Sequence, residues 1–269
     1  MSRHQLRAAT ALGLLWAAGA PLPARAETLD CLIQPYVLAA VSSPVEGVLE
    51  KIHVDRGDLV KEGQVLATLE ASVEKATEAM AAARATVESP YKSAEVRMDF
   101  GTRRFVRTEE MFKKEIIPLK DLDEAETAKI LAEIGVQEAK ENQKIAELEL
   151  ARARAVLGQR TIRSPVTGVV TERLLEAGEF VKGTPIVKVA QIHPLRVEVI
   201  APVTLFGKIG LDTRAEILPE APLNGTYSAK VTVVDRVVDA ASGTFGVRLD
   251  LPNPNYRLPA GLKCKIRFR

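Results

Sequence analysis

Aromatic residues are scarce in this 269-residue chain, at 4% with a single tryptophan, which argues against a large aromatic-lined ligand pocket. Histidine is rarer still. His4, His53 and His193 stand far apart, and no Cys/His/carboxylate spacing suggests a zinc site. An excess of one charge is also missing: 37 basic and 35 acidic residues are intermixed and leave a net charge of +2. No basic stripe of the kind nucleic acid requires is present. There is no P-loop, no dinucleotide fingerprint and no Gly-x-Ser-x-Gly turn. The abundant Asp and Glu fall at helix-surface spacing and read as solvated faces. The expectation is a chain with no catalytic centre, no metal and no cofactor.

Long hydrophobic runs are absent except at the start. Arg3, His4 and Arg7 precede an apolar stretch from Ala8 to Ala20, followed by Pro21, Pro23 and Ala24-Arg25-Ala26. This is the order of a secretory signal peptide over residues 1–26. Thirteen apolar residues fall short of the roughly 20 needed to span a ~30 Å hydrocarbon core. Export places the only two cysteines, Cys31 and Cys264, in an oxidising compartment. They could pair there or remain two unrelated thiols; cysteine counting alone leaves both open.

What the sequence does have is an internal repeat. Ser43-Pro44-Val45-Glu46-Gly47-Val48 returns 121 residues later as Ser164-Pro165-Val166-Thr167-Gly168-Val169. At the same offset Gly57-Asp58-Leu59-Val60-Lys61 returns as Gly178-Glu179-Phe180-Val181-Lys182. One residue is then lost, and Gly63 corresponds to Gly183. Each copy runs on into an apolar strand, Val65–Leu69 or Ile186–Val189. The pattern predicts Pro-x-x-Gly turns, with glycine accepting positive φ, then a strand, a second glycine-bounded turn and a last strand. A unit this small cannot bury a hydrophobic face alone, so the two copies, residues 41–70 and 162–190, are expected to pack together.

Between them, residues 71–161 are rich in Ala, Glu, Lys, Arg and Leu, strong helix formers. Two long helices are predicted. The first runs from Ser72, read as the N-cap, to Ile117, with kinks at Pro90 and Gly101. The second runs from Leu119 to Leu157. Heptad signatures are Val73, Ala76, Met80, Ala83 and Val87, then Met98, Phe105 and Phe112, and on the second helix Leu131, Ile134, Ile145 and Leu148. Glu138 and Glu141 interrupt the last series and predict weak packing there. Pro118 marks the reversal. The pair could extend as a hairpin or fold back as a bundle.

Two such half-units resemble the β-sandwich of biotinyl and lipoyl carrier domains. A carrier presents a lysine at the hairpin joining the halves; here that point holds Leu69-Glu70-Ala71-Ser72-Val73-Glu74 and then the insertion, while Lys75 falls in the helical pattern. A lipoyl-like sandwich split by a long antiparallel α-hairpin resembles the membrane fusion (periplasmic adaptor, HlyD-like) family. The chain after residue 191 alternates short strands with Gly and Pro turns and predicts a small β-barrel over residues 191–269. Its Val238–Thr244, Leu251–Pro254 and Leu258–Leu262 stretches resemble the barrel of adaptors to resistance-nodulation-division (RND) pumps. Residues 27–40 are expected to add an N-terminal strand to that barrel. The expected fold is thus an elongated α+β molecule.

The resemblance also implies site residues. Leu122-Asp123-Glu124-Ala125 aligns with a Leu-Asp-x-Ala-like stretch near the family's hairpin tip. Arg107 and Met111 then fall on the tip's arginine and leucine, and Pro118 replaces its serine. Contact of this tip with an outer-membrane exit duct is what the resemblance implies, together with an inner-membrane efflux transporter as partner and self-association into a trimeric or hexameric ring. Relative to RND adaptors, the chain reads as a short form without a full membrane-proximal domain. An adaptor for an ATP-driven exporter, or a biotin or lipoate carrier, are the alternatives.

Overall fold

The computed structural model describes residues 28–269. The expected signal peptide lies outside the described residues. Chain contacts divide the molecule into two units, Ile33–Arg196 with Asp250–Leu262, and Val197–Leu249 with Lys263–Arg269 and the strand up to Leu32.

The first unit contains the repeat. Its strands are the latter part of β1 (Leu29–Ser42), then β2 (Gly47–Ile52), β3 (Leu59–Val60), β4 (Val65–Leu69), β5 (Thr161–Arg163), β6 (Gly168–Arg173), β7 (Phe180–Val181) and the first part of β8 (Pro185–Pro202). One sheet runs β5-β4-β2-β7; the other includes β3-β6-β8, and β8 also pairs with β1. The two halves interlock. β3 of the first half pairs with β6 of the second, Leu59 opposite Val169, and β7 of the second pairs with β2 of the first, Val48 opposite Phe180. Backbone bonds repeat the exchange: Gly57 N donates to Val170 O and Gly178 N donates to Leu49 O, 2.8 and 2.7 Å. The 121-residue offset is therefore a pseudo-twofold axis. Between the sheets lies an aliphatic core with Leu49, Val60 and Leu66 from the first half and Val170, Val181 and Ile186 from the second. Neither half can close this core without the other.

Three helices interrupt the sandwich between β4 and β5: α1 (Ser72–Ala85), α2 (Ser89–Lys113) and α3 (Leu119–Gly158). The expected single first helix is two. The chain leaves helix at Thr86–Glu88, and Pro90 sits in the first turn of α2. Proline fits a first turn, where its missing N–H has no partner to lose, so it starts a helix here instead of kinking one. Gly101 does not soften α2 either. It is buried against α3, where an added Cβ would lie 3.5 Å from the Lys129 Cα and 3.6 Å from the Ala132 Cβ. Ser72 is the first helical residue and not the cap; its backbone N–H donates to the Glu70 carboxylate at 2.8 Å.

α1 and α2 both pack on α3. The buried residues of this seam are small: Ala81, Gly101, Thr108, Ala125 and Val136. Of the expected heptad residues, Met98, Phe105 and Phe112 lie half-buried on the α2 seam. Val73, Met80, Val87, Leu131, Ile134, Ile145 and Leu148 face outward instead. The reason is position on the helix. The less exposed residues of α3 recur with helical spacing through Leu122, Ala125, Ala132, Val136 and Leu150, and the outward apolar residues of that helix fall between them. Glu138 and Glu141 share that outward face and so do not interrupt the seam.

The second unit is built from β9 (Arg214–Pro219), β10 (Tyr227–Val234), β11 (Thr244–Leu251) and β12 (Lys263–Phe268) with parts of β1 and β8. The order is β1-β12-β9-β10-β11-β8, and the β1–β8 pairing closes a six-stranded barrel. Its interior holds Val197, Val199, Ile217, Val231, Val247 and Ile266 at alternate strand positions.

Candidate assembly surfaces

The hairpin tip forms because α2 ends at Lys113 and Glu115 takes a left-handed φ of 57°. Glu115 N donates to Phe112 O and Ile116 N donates to Met111 O, which ties off the last turn. Pro118, extended at ψ 159°, caps the start of α3. Arg107 and Met111 are both exposed, one turn apart on α2. They share a shallow cleft with Arg104, Ile117, Asp121 and Glu124. Pro118 stands at the turn itself. The sequence alone marks neither Ile116 nor Leu119 as a surface residue. Both are exposed at the tip and add apolar surface beside Met111. In the aligned Leu122-Asp123-Glu124-Ala125 stretch, Ala125 is buried in the seam and Leu122 half-buried, while Asp123 and Glu124 point out.

The hairpin root is held by a residue the sequence did not flag. Arg160, just after α3, donates through Nη2 to the Glu74 carboxylate of α1 at 2.5 Å and through Nη1 to the Glu46 carbonyl at 3.0 Å. Its side chain is 22% exposed and that of Glu74 15%, the most enclosed ion pair among those of the described residues. Further along, Arg154 pairs with Glu78 at 2.9 Å and Arg84 with Glu149 at 3.8 Å. A carboxylate at 74 with an arginine 86 positions away carries no local signal; only the repeat boundaries at 71 and 161 hinted that a joint must exist there.

The eight turn residues of the repeat occupy equivalent places in the two halves. Ser43 Oγ donates to Val45 O across Pro44, and Ser164 Oγ donates to Val166 O across Pro165. Gly57, Gly63, Gly178 and Gly183 have φ between 69° and 96°, the region that glycine alone enters freely. Gly47 and Gly168 do not, contrary to the Pro-x-x-Gly expectation. Gly168 is required by close approach, since a Cβ there would meet the Ala190 carbonyl oxygen at 2.1 Å, whereas a Cβ on Gly47 would meet the movable end of a side chain, Arg160 Nη1, at 2.5 Å.

Cys31 and Cys264 are direct cross-strand partners on β1 and β12, both buried, and their sulfurs are bonded. A second unflagged residue is Asn253. It is buried, and its Nδ2 donates to Ile192 O and Leu258 O while Oδ1 accepts from Leu258 N. Its own N–H donates to His193 Nδ1 at 3.0 Å. This network fastens the Asp250–Leu262 segment to β8, each polar atom of the amide being satisfied. Among the described residues, no cluster of three or more His, Cys, Asp or Glu is arranged to hold a metal ion, and no helix is long and apolar enough to cross a membrane.

Residues 37–191 match the family described as the CzcB-like, barrel-sandwich hybrid domain. The chain is 22% identical over 232 residues to the multidrug resistance protein MdtA of Xenorhabdus bovienii, which covers 83% of this chain and 53% of that one. It is 25% identical over 303 aligned positions to the macrolide export protein MacA of Yersinia pestis, covering 100% of this chain and 80% of that protein. The crystal structure of MacA from Actinobacillus actinomycetemcomitans shares the fold, with a TM-score of 0.74 at 20% identity over 90% of this chain and 78% of that one. The chain spans about half the length of several of the curated relatives it matches.

Proposed function

The chain belongs to the CzcB-like barrel-sandwich hybrid family of membrane fusion proteins, and from that membership we propose that it is the periplasmic adaptor of a three-part efflux system. It links an inner-membrane transporter, of the RND class, to an outer-membrane duct, and it acts by assembly and not by catalysis. The observation that carries this reading is the insertion point. A carrier domain would present its lysine where β4 returns as β5; this chain instead sends out a hairpin whose α3 is 40 residues long, about 60 Å at ~1.5 Å per residue. A reach of that size suits bridging. The names of the matched relatives, a multidrug resistance protein and a macrolide export protein, support export as the process and leave the cargo open.

In this reading the tip, with Arg107, Met111 and Pro118, meets the duct, the barrel faces the transporter, and copies of the sandwich assemble around a common axis. Residues 1–26 direct export and are removed, and the Cys31–Cys264 disulfide forms in the periplasm.

The test is capture in the intact cell envelope. A photo-crosslinking residue at Met111 should trap an outer-membrane duct protein, and Arg107→Asp should lower the yield about tenfold, the effect of losing roughly 1.4 kcal/mol of contact. Undiminished capture by Arg107→Asp would remove the tip from the interface. An intact mass carrying a biotinyl or lipoyl adduct would overturn the assembly role in favour of a carrier.

A further inference from the structure

We propose that the Cys31–Cys264 bond is what closes the barrel, so that the barrel is completed only in the oxidising compartment that the chain enters on export. The inference rests on the export proposed above. β1 is the closing strand: it pairs with both β12 and β8, and without it β12 would be an open edge. Its hold on the barrel is short. The pairing with β12 covers four residues, from Leu29 opposite Ile266 to Leu32 opposite Lys263. The next residue, Ile33, belongs to the other unit, where it exchanges backbone bonds with Gly261 and Leu262.

Those four residues also bring little apolar surface to the interior. β8 contributes Val197 and Val199, and β11 contributes Val247 and Leu249, all buried. Of the four from β1, Asp30 and Leu32 are exposed and Leu29 is half-buried, which leaves Cys31 as the one buried side chain. Apolar burial drives the other strands into place. For this end of β1 the remaining forces are a short ladder and an exposed ion pair, Lys265 Nζ with the Asp30 carboxylate at 2.5 Å. An exposed pair contributes little against the entropy of fixing a chain end. The residue opposite Cys31 on β12 is Cys264, so a covalent bond stands where a core contact would otherwise be needed.

The bond forms by exchange with an oxidising disulfide of the surroundings. One cysteine thiolate attacks that disulfide, giving a mixed disulfide and releasing one thiol; the second thiolate attacks the mixed bond and releases the other. The chain's two thiols give up two electrons and two protons, and the incoming disulfide takes up both as it leaves as two thiols. In a reducing compartment the exchange runs the other way and β1 stays unfastened. The finished bond spans 233 positions, so it removes the freedom of nearly the whole described chain from the unfolded state. Both cysteines are buried in the closed barrel, which shelters the bond from the reverse exchange.

The test is amide hydrogen exchange on the full chain, comparing the wild type with the Cys31→Ala/Cys264→Ala variant. In the variant, the amides of residues 29–32 and of β12 should exchange at least about tenfold faster, while those of β2, β4 and β6 in the sandwich keep the wild-type rate. The wild type reduced with a dithiol gives the same comparison without substitution, should the alanines disturb the barrel in their own right. Equal protection of the seam with and without the bond overturns the closing role, and so does a loss shared evenly by barrel and sandwich. Maleimide trapping of free thiols in cells producing the wild type reads the compartment separately, and no labelling is expected after export. Chains of the cell envelope labelled at both cysteines overturn export to an oxidising compartment and leave the exchange result standing.

Discussion

The sandwich and the hairpin put the same kinds of residue to opposite uses. In the sandwich the aliphatic side chains go in: Leu49, Leu66 and Ile186 are almost fully buried between the sheets. In the hairpin several go out: Leu131 is 63% exposed and Leu148 59%, while the buried seam residues of α2 and α3 are the smaller Gly101, Thr108, Ala125 and Val136. A sheet pair is spaced about 10 Å apart and needs large side chains to fill the gap. Two helices have no such fixed spacing and can close onto small residues. Apolar periodicity therefore marks the buried face of a strand reliably, but on a hairpin it also marks surfaces reserved for something outside the chain.

The sharpest way to break this comparison is to shorten one leucine in each region. Leu66→Ala, at a fully buried core position, should lower stability by about 3 kcal/mol. Leu148→Ala on the outward face of α3 should change it by less than ~0.5 kcal/mol. Urea unfolding of both variants measures the difference. Equal losses would mean that the hairpin buries Leu148 in the isolated chain.

Glycines in the hairpin offer the next contrast. Gly101→Leu must push α2 off the Lys129–Ala132 segment of α3, at a cost of about 1–3 kcal/mol for overpacking. Gly135, also within α3, has nothing within 4 Å of where a Cβ would stand. Gly135→Ala should therefore raise stability by up to about 1 kcal/mol, the propensity difference between the two residues. The two signs, read by thermal melting, separate a glycine kept for contact from one that is dispensable to the fold.

The joint between the regions should show a smaller effect. Removing Arg160 leaves Glu74 and the Glu46 carbonyl without their partner. A double-mutant cycle of Arg160→Ala with Glu74→Ala should give a coupling of about 1 kcal/mol, above the usual exposed pair because both side chains are largely enclosed. Glu78→Ala with Arg154→Ala, at a more exposed pair, should give less than half of that.

How much of this was legible in sequence depends on how local the cause is. The repeat was legible because its turns are made by adjacent residues, Ser43-Pro44 and Gly57 acting on their own backbone. The barrel strands and the second helix were legible for the same reason. Arg160 was not, because its partners lie 86 and 114 residues away and any exposed arginine looks alike in sequence. Gly47 followed it into obscurity: what stands closest to it is the end of the Arg160 side chain, 113 positions away in sequence. The face of α1 and α3 that would be buried was misread because seven-residue spacing occurs on both faces, and only the position of the neighbouring helix chooses between them. At the tip, Arg107 and Met111 were placed by alignment, whereas exposure of Ile116 and Leu119 depended on how the turn closed at Glu115.

The smallest expected effect lies at the first residue of α1, where the sandwich hands over to the hairpin. The Glu70 carboxylate accepts from Ser72, and these hydrogen bonds are the largest cause holding its pKa below the ordinary 4.5, with the charges of Arg160 and Lys75 adding to them. A carboxyl whose folded pKa is depressed stabilises the fold above its unfolded value and loses that contribution as pH falls through the folded one. Glu70→Ala should therefore melt slightly below the wild type near pH ~7, and the gap should close as the pH drops well under the carboxylate range. Because the group is exposed, salt should narrow the gap at neutral pH as well. A gap that persists unchanged in acid would assign the Ser72 N–H to a partner other than the ionised carboxylate, and would leave the start of α1 capped by the sandwich backbone alone.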